Sequence, residues 1–141
     1  MADVGQAIER AVVFGASGGI GSALVEGLLE RGAKTAFAAS RTRPERLPAE
    51  AQWVRFDLDK EASIAAAAQA TGAQPLDCVI VASGVLTLAG ENGAEGSGPE
   101  RSYKQVDAQA MARVLHLNTI GPALIAKHFL PLLPRDRRAV F

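Results

Sequence analysis

A single cysteine, Cys78, set in an apolar run, is all the thiol this chain carries, so no disulfide can form within it. A reducing, cytoplasmic setting fits that. Net charge is absent as well: 15 basic residues balance 15 acidic ones, which argues against a general affinity for nucleic acid or an anionic membrane. The one basic cluster, Arg135, Arg137 and Arg138, is interrupted by Asp136 and reads as a solvated end. No apolar run reaches the length of about 18 residues that marks a membrane span. Met1 to Arg10 lacks the apolar centre of a signal peptide, so a soluble chain is expected. Metal chemistry finds no Cys/His cluster at ligand spacing; His116 and His128 stand apart on helical sequence. Ser17, in Gly-Ala-Ser-Gly-Gly, does not match the nucleophile elbow G-x-S-x-G. What remains is 141 residues, 48% hydrophobic, enough for one domain with a real core.

Glycine, by contrast, is plentiful, and one stretch uses it informatively. Ala11-Val12-Val13-Phe14 suits a buried strand and runs straight into Gly15-Ala16-Ser17-Gly18-Gly19-Ile20-Gly21. Behind that turn, Ile20, Leu24 and Leu28, with Val25 and Leu29, repeat at helical spacing, and Gly32 offers a left-handed cap after Arg31. A helix begun in this way aims unpaired N–H groups and the positive end of its dipole at one spot, which suits a diphosphate. Gly15 permits the tight turn. A side chain at Gly19 or Gly21 would obstruct the approach of phosphate to backbone or of helix to strand.

Further strands follow at Thr35-Ala36-Phe37-Ala38-Ala39 and Trp53-Val54-Arg55-Phe56, the first ending in Ser40-Arg41 and the second in Asp57-Leu58-Asp59. Asp59 is placed to cap an alanine-rich helix over 60–70 that Gly72 ends. Cys78-Val79-Ile80-Val81 is the most apolar strand, as at the centre of a parallel sheet. Residues 84–105 carry no hydrophobic period, and Gly90, Gly93, Gly96, Gly98 and Pro99 crowd together there. A long helical pattern covers 107–133, with Pro122 and Pro131 expected to bend or break it, and Ala139-Val140-Phe141 starts another strand. Alternating strands and helices predict an α/β fold: a doubly wound parallel sheet of order 3-2-1-4, with strand five just begun. A ligand belongs at the carboxyl ends of those strands, where the 15–21 turn, Ser40-Arg41, Asp57-Leu58 and Ala82-Ser83-Gly84 converge.

The glycines read G-x-x-x-G-x-G, not the G-x-G-x-x-G of the usual dinucleotide fingerprint, and this longer turn resembles the short-chain dehydrogenase/reductase family. The resemblance runs from Ala11 to Phe141. It implies that residues 1–141 are the N-terminal portion of an NAD(P)-binding Rossmann domain. Ser17, Gly18, Gly19, Ile20 and Gly21 would then carry the diphosphate with Gly15. Arg41 follows the second strand, where NAD sites favour a carboxylate and a 2′-phosphate suits arginine; with Ser40 as a hydroxyl donor, NADP is favoured over NAD. A surface arginine in a charged stretch is the plainer alternative. Asp57 matches the family's acceptor for the adenine amino group and Leu58 the residue lying against the base, although Asp57 also reads as a turn residue. Val81-Ala82-Ser83-Gly84 stands where the family has Asn-Asn-Ala-Gly, keeping only the glycine, and Phe14 replaces its usual threonine. Both departures resemble a divergent branch, that of the bacterial cell–cell signalling C-factor. Asn118 is similar to the family's helix-four asparagine, which holds a water in a proton relay; satisfying carbonyls freed by Pro122 is its alternative role.

The family's catalytic serine and Tyr-x-x-x-Lys have no counterpart here. The only tyrosine, Tyr103, has Asp107 four residues on and Lys104 beside it, the wrong spacing. The chain is therefore expected to be truncated, with an open edge on strand four, a long helix short of its partner, and a tendency to form a homo-oligomer or aggregate. Three functions compete: the cofactor-binding part of an NADP(H)-dependent oxidoreductase acting on a small carbonyl or alcohol, inactive alone; a non-catalytic dinucleotide-binding or signalling module; and a remnant without function.

Overall fold

A computed structural model describes residues 8–86 and 99–135. The strand expected over 139–141 and most of the irregular 84–105 stretch lie outside them. Four parallel strands form the centre: β1 Arg10–Phe14, β2 Thr35–Ser40, β3 Ala51–Arg55 and β4 Cys78–Val81. Their order is β3-β2-β1-β4, as the alternating pattern predicts. Val12 stands opposite Phe37 on one side and Val79 on the other, which fixes the register. The third strand begins at Ala51, two residues before the aromatic-rich run that signals it.

Successive side chains of a strand point to opposite faces, so each strand feeds two cores. Val12, Phe14, Phe37, Ala39 and Val79 pack with Ile64, Ala67 and Ala68 of α2 (Glu61–Thr71) and with Ile125 and Phe129 of α4 (Gly121–Phe129). Val13, Ala36 and Ala38 meet Val25, with Leu24, Leu28 and Leu29, of α1 (Gly19–Glu30). The Phe14 ring meets Phe56 and Phe129 edge-on, both at 4.8 Å between centroids. Helix α1 stops as its sequence predicts. Gly32 takes φ +94°, its N–H donates to Leu29 O, and Ala33 N–H reaches back to Leu28 O.

Two local expectations change. Helix α2 starts after Lys60, which takes the N-cap position and has no acceptor to offer, so there is no side-chain cap; Asp59 lies one residue earlier and its carboxylate pairs with Arg113. The long helical pattern is three segments in succession: α3 (Ala108–Leu115), a π-helical stretch His116–Ile120, and α4, with a short 3₁₀ turn Leu130–Leu132 after it. Pro122 has no N–H to give the carbonyl of Asn118, and the helix widens there instead of breaking. Asp107 caps α3 by accepting Ala110 N–H at 2.8 Å. Helix α3 buries no residue, and Met111 and Leu115 stay exposed. No described helix is long and apolar enough to cross a membrane.

Candidate functional site

Parallel strands all end on one edge, and the loops that leave β1, β2, β3 and β4 enclose a cleft of about 230 Å³ there. Its floor is the glycine turn. Gly15 N–H and Ala16 N–H both donate to Ala39 O, at 2.9 and 3.1 Å, and this fork pins the turn to β2. Gly15 has φ +86°, and a β-carbon on it would sit 2.8 Å from Ser83 N and 2.9 Å from Ala82 O. Only glycine lets the β1 and β4 exits close together here.

Helix α1 starts from Gly18 without any side-chain cap on its first turn. Its first-turn N–H groups thus have no side-chain acceptor among the described residues, and Gly18, at the N-cap, lines the cleft. Gly19 has nothing within 4 Å of where a β-carbon would stand, whereas at Gly21 that carbon would lie 2.1 Å from Gly15 O. The two glycines differ: Gly21 seats the helix under the turn, whereas Gly19 faces open space.

Of the residues singled out in the sequence, Gly15, Ser17, Gly18, Ser40, Arg41, Asp57, Leu58, Ala82, Ser83 and Gly84 all line the cleft. Gly19, Ile20, Gly21 and Asn118 do not. Ile20 is 76% exposed on the first turn of α1, and Gly21 is buried. Ser40 reaches the cleft, but its hydroxyl donates to Thr42 O at 2.7 Å and accepts from Trp53 Nε1 at 3.1 Å, so its proton is already committed. Asp57 accepts Asp59 N–H through Oδ1 at 3.1 Å, which leaves a carboxylate acceptor capacity to spare. Leu58 is buried between the cleft and Gly121. The Ser83 hydroxyl is a buried polar atom without a hydrogen-bond partner among the described residues, and it lines the cleft. Such a group invites a ligand donor or acceptor.

Asn118 clamps the loop after β4. Its Oδ1 accepts Val85 N–H at 2.8 Å and its Nδ2 donates to Val85 O at 2.7 Å, as a neighbouring strand would. The same π-helical stretch that widens α3 into α4 sets this side chain against the loop. Phe56, Asp59, Val85, Arg113 and Leu117, which no local signal marks as site residues, also line the cleft. Arg113 binds both carboxylate oxygens of Asp59. That grip, helped by His116 and Arg41 nearby, holds the Asp59 carboxyl below its usual range.

A parallel sheet of this order, with a glycine turn between the first strand and its helix, defines a doubly wound α/β unit of the Rossmann type. The family model for short chain dehydrogenase matches residues 9–140, and the chain belongs to that family. It is 31% identical over 133 residues to cis-4-hydroxycyclohexanecarboxylate dehydrogenase of Sinomonas cyclohexanicum, covering 85% of this chain and 47% of that protein. Among solved structures it is similar to a short chain dehydrogenase from Burkholderia cenocepacia J2315 in complex with NADP. That likeness has a TM-score of 0.72 and 24% identity, over 93% of this chain and 51% of the other. A short chain dehydrogenase from Leptospira borgpetersenii with bound NAD+ gives 0.70 and 19%, over 89% and 46%. The chain thus spans about half the length of the relatives it matches.

Proposed function

We propose that this chain is the cofactor-binding part of an NADP(H)-dependent short-chain oxidoreductase. The observation that carries the reading is the cleft itself, where an uncapped helix N-terminus, the Gly15 turn and the unpartnered Ser83 hydroxyl meet. In this reading Ser17, Gly18 and Gly19, with the first N–H groups of α1 at Ile20, hold the diphosphate. Asp57 and Leu58 hold the adenine, and Ala82, Ser83 and Gly84 pass close to the nicotinamide half. When bound, the dinucleotide supplies a hydride donor or acceptor for a carbonyl or alcohol carbon. Asn118 positions the β4 exit through Val85; the proton-relay role of its family counterpart belongs to the same proposal. The relatives include proteins whose structures contain NADP and others that contain NAD, and Arg41 at the end of β2 supports the former for this chain.

Arginine at that place can give a 2′-phosphate charge-assisted hydrogen bonds worth about 1.5–3 kcal/mol. Arg41→Asp is accordingly expected to weaken NADPH binding roughly ten- to hundredfold while NADH binding holds or improves. Fluorescence titration of both nucleotides reads this directly. Equal losses for the two would remove the assignment to a 2′-phosphate.

The alternative reading is a binding or signalling module without chemistry. The only tyrosine of the chain, Tyr103, is 83% exposed on a short turn, Tyr103–Gln105, and does not line the cleft. No Tyr-x-x-x-Lys pair exists to donate a proton. The chain alone is expected to show no carbonyl-dependent NADPH oxidation above a protein-free blank. Steady turnover that tracks protein concentration would overturn both that expectation and the need for further catalytic residues.

A further inference from the structure

Two side chains 54 residues apart pair in the lining of the cleft, and one of them, a guanidinium, is a flat plate. Arg113, on α3, donates from both terminal nitrogens to the two carboxylate oxygens of Asp59. A guanidinium held at both prongs by one carboxylate loses its freedom to turn and presents a planar, delocalised cation. His116 closes the node, its Nε2 3.3 Å from Leu58 O and 3.6 Å from Asp59 Oδ1. The pair is not needed to bury apolar surface: the Arg113 side chain stays 45% exposed, and α3 buries nothing.

The composition of the cleft gives that plate a use. A purine needs a flat or apolar surface to lie against, and aromatic rings are the common choice. Among the described residues, the only aromatic one lining this cleft is Phe56, which is 3% exposed and already meets Phe14 edge-on. Leu58 is buried, and Leu117 is half-buried. Among the described residues the cleft lining holds two planar cations, Arg41 and Arg113; with Arg41 assigned above to the 2′-phosphate, Arg113 is the one left for the base. Arginine planes stack on π-faces as well as attracting them electrostatically.

We propose that the Arg113 guanidinium, held flat by Asp59, is the surface on which the adenine of the dinucleotide stacks. This rests on the dinucleotide reading above and deepens it, since it adds a base-binding residue that lies on α3 and outside the strand-end loops. Asp59 acts as its positioning residue: it does not touch the base but sets the plane that does.

Arg113→Lys tests the assignment. Lysine keeps the charge and can still pair with Asp59, but it has no plane. The purified chain and the variant are titrated by calorimetry with NADPH, with adenosine 2′,5′-bisphosphate, and with inorganic pyrophosphate, which carries phosphates and no base. Arg113→Lys is expected to weaken NADPH and the adenosine bisphosphate about three- to tenfold, the range of a half-exposed cation–π contact, and to leave pyrophosphate unchanged. Asp59→Asn, which frees the guanidinium, is expected to weaken the same two ligands. Equal affinity of Arg113→Lys and the unsubstituted chain for the adenosine bisphosphate overturns the assignment alone, as does a loss shared equally with pyrophosphate. Failure of the unsubstituted, folded chain to bind NADPH overturns the dinucleotide reading itself.

Discussion

Gly21→Ala is expected to leave little folded protein, with stability lowered by about 3 kcal/mol or more. The new β-carbon would stand 2.1 Å from Gly15 O and 2.7 Å from Gly15 C, and both are backbone atoms that cannot swing aside. Nor can the turn retreat. Gly15 N–H is bonded to Ala39 O at 2.9 Å, and the space on its other side is filled by Ser83 N and Ala82 O. Helix α1 would have to lift from the sheet, exposing Val25 and the alanines of β2 beneath it. Gly19→Ala, two residues earlier, is the informative contrast. Nothing lies within 4 Å of its β-carbon, so stability should stay within about 1 kcal/mol, alanine being the better helix former. In the proposed diphosphate placement, the methyl group would nevertheless occupy space that the phosphate takes at the helix N-terminus. Dinucleotide affinity is expected to fall roughly ten- to hundredfold, the value of a lost charge-assisted hydrogen bond or two. Chemical denaturation of both variants, with a nucleotide titration of the second, separates the two roles. If Gly21→Ala kept the stability of the unsubstituted chain, the helix would not be seated as described.

The second large effect is expected at Phe14. Its ring is fully buried where β1 meets the β3 exit and α4, edge-on to Phe56 and Phe129 at once. Phe14→Ala removes the transfer energy of the ring, leaves a cavity, and breaks two aromatic contacts, for an expected loss of about 3–5 kcal/mol. That is a large share of the roughly 5–15 kcal/mol by which domains are stable. Phe14→Leu should recover more than half of it by filling most of the space. Urea unfolding with an unchanged slope would show that the native state, and not the unfolded ensemble, carries the difference. A loss below about 1 kcal/mol for the alanine variant would mean that this ring cluster does not tie α4 to the sheet.

Phe14 also illustrates what was legible in the sequence. Its departure from the family's threonine is visible there, but its reason is not. The ring is matched by Phe56 and Phe129, partners scattered along the chain that only the fold assembles. The strands, their order and the residues at their ends were legible because each rests on a local signal. Runs such as Val12-Val13-Phe14 mark strands, glycine spacing marks the turn, and alternation with helices fixes a parallel sheet. Signals were lost where two distant segments compete for one group. Asp59 looks like a helix cap, because nothing near it reveals that Arg113 will take both of its oxygens. Ser40 looks like a free hydroxyl until Trp53 and Thr42 are brought beside it. Pro122 reads as a bend or break, yet the packing of α4 through Ile125 and Phe129 keeps the helix going, with a π turn around Asn118 where the proline lacks its N–H.

Thermal unfolding of the purified chain across rising NADPH concentrations, beside NADH and the Gly19→Ala variant, bears most directly on the proposed cofactor cleft. A ligand bound only by the folded state raises the melting temperature in proportion to the logarithm of its excess over Kd. The cleft described here predicts a rise with NADPH, a smaller one with NADH, and a much weaker response in Gly19→Ala, which should melt near the unsubstituted chain without ligand. A cooperative transition whose midpoint stays fixed through millimolar concentrations of both nucleotides would contradict it.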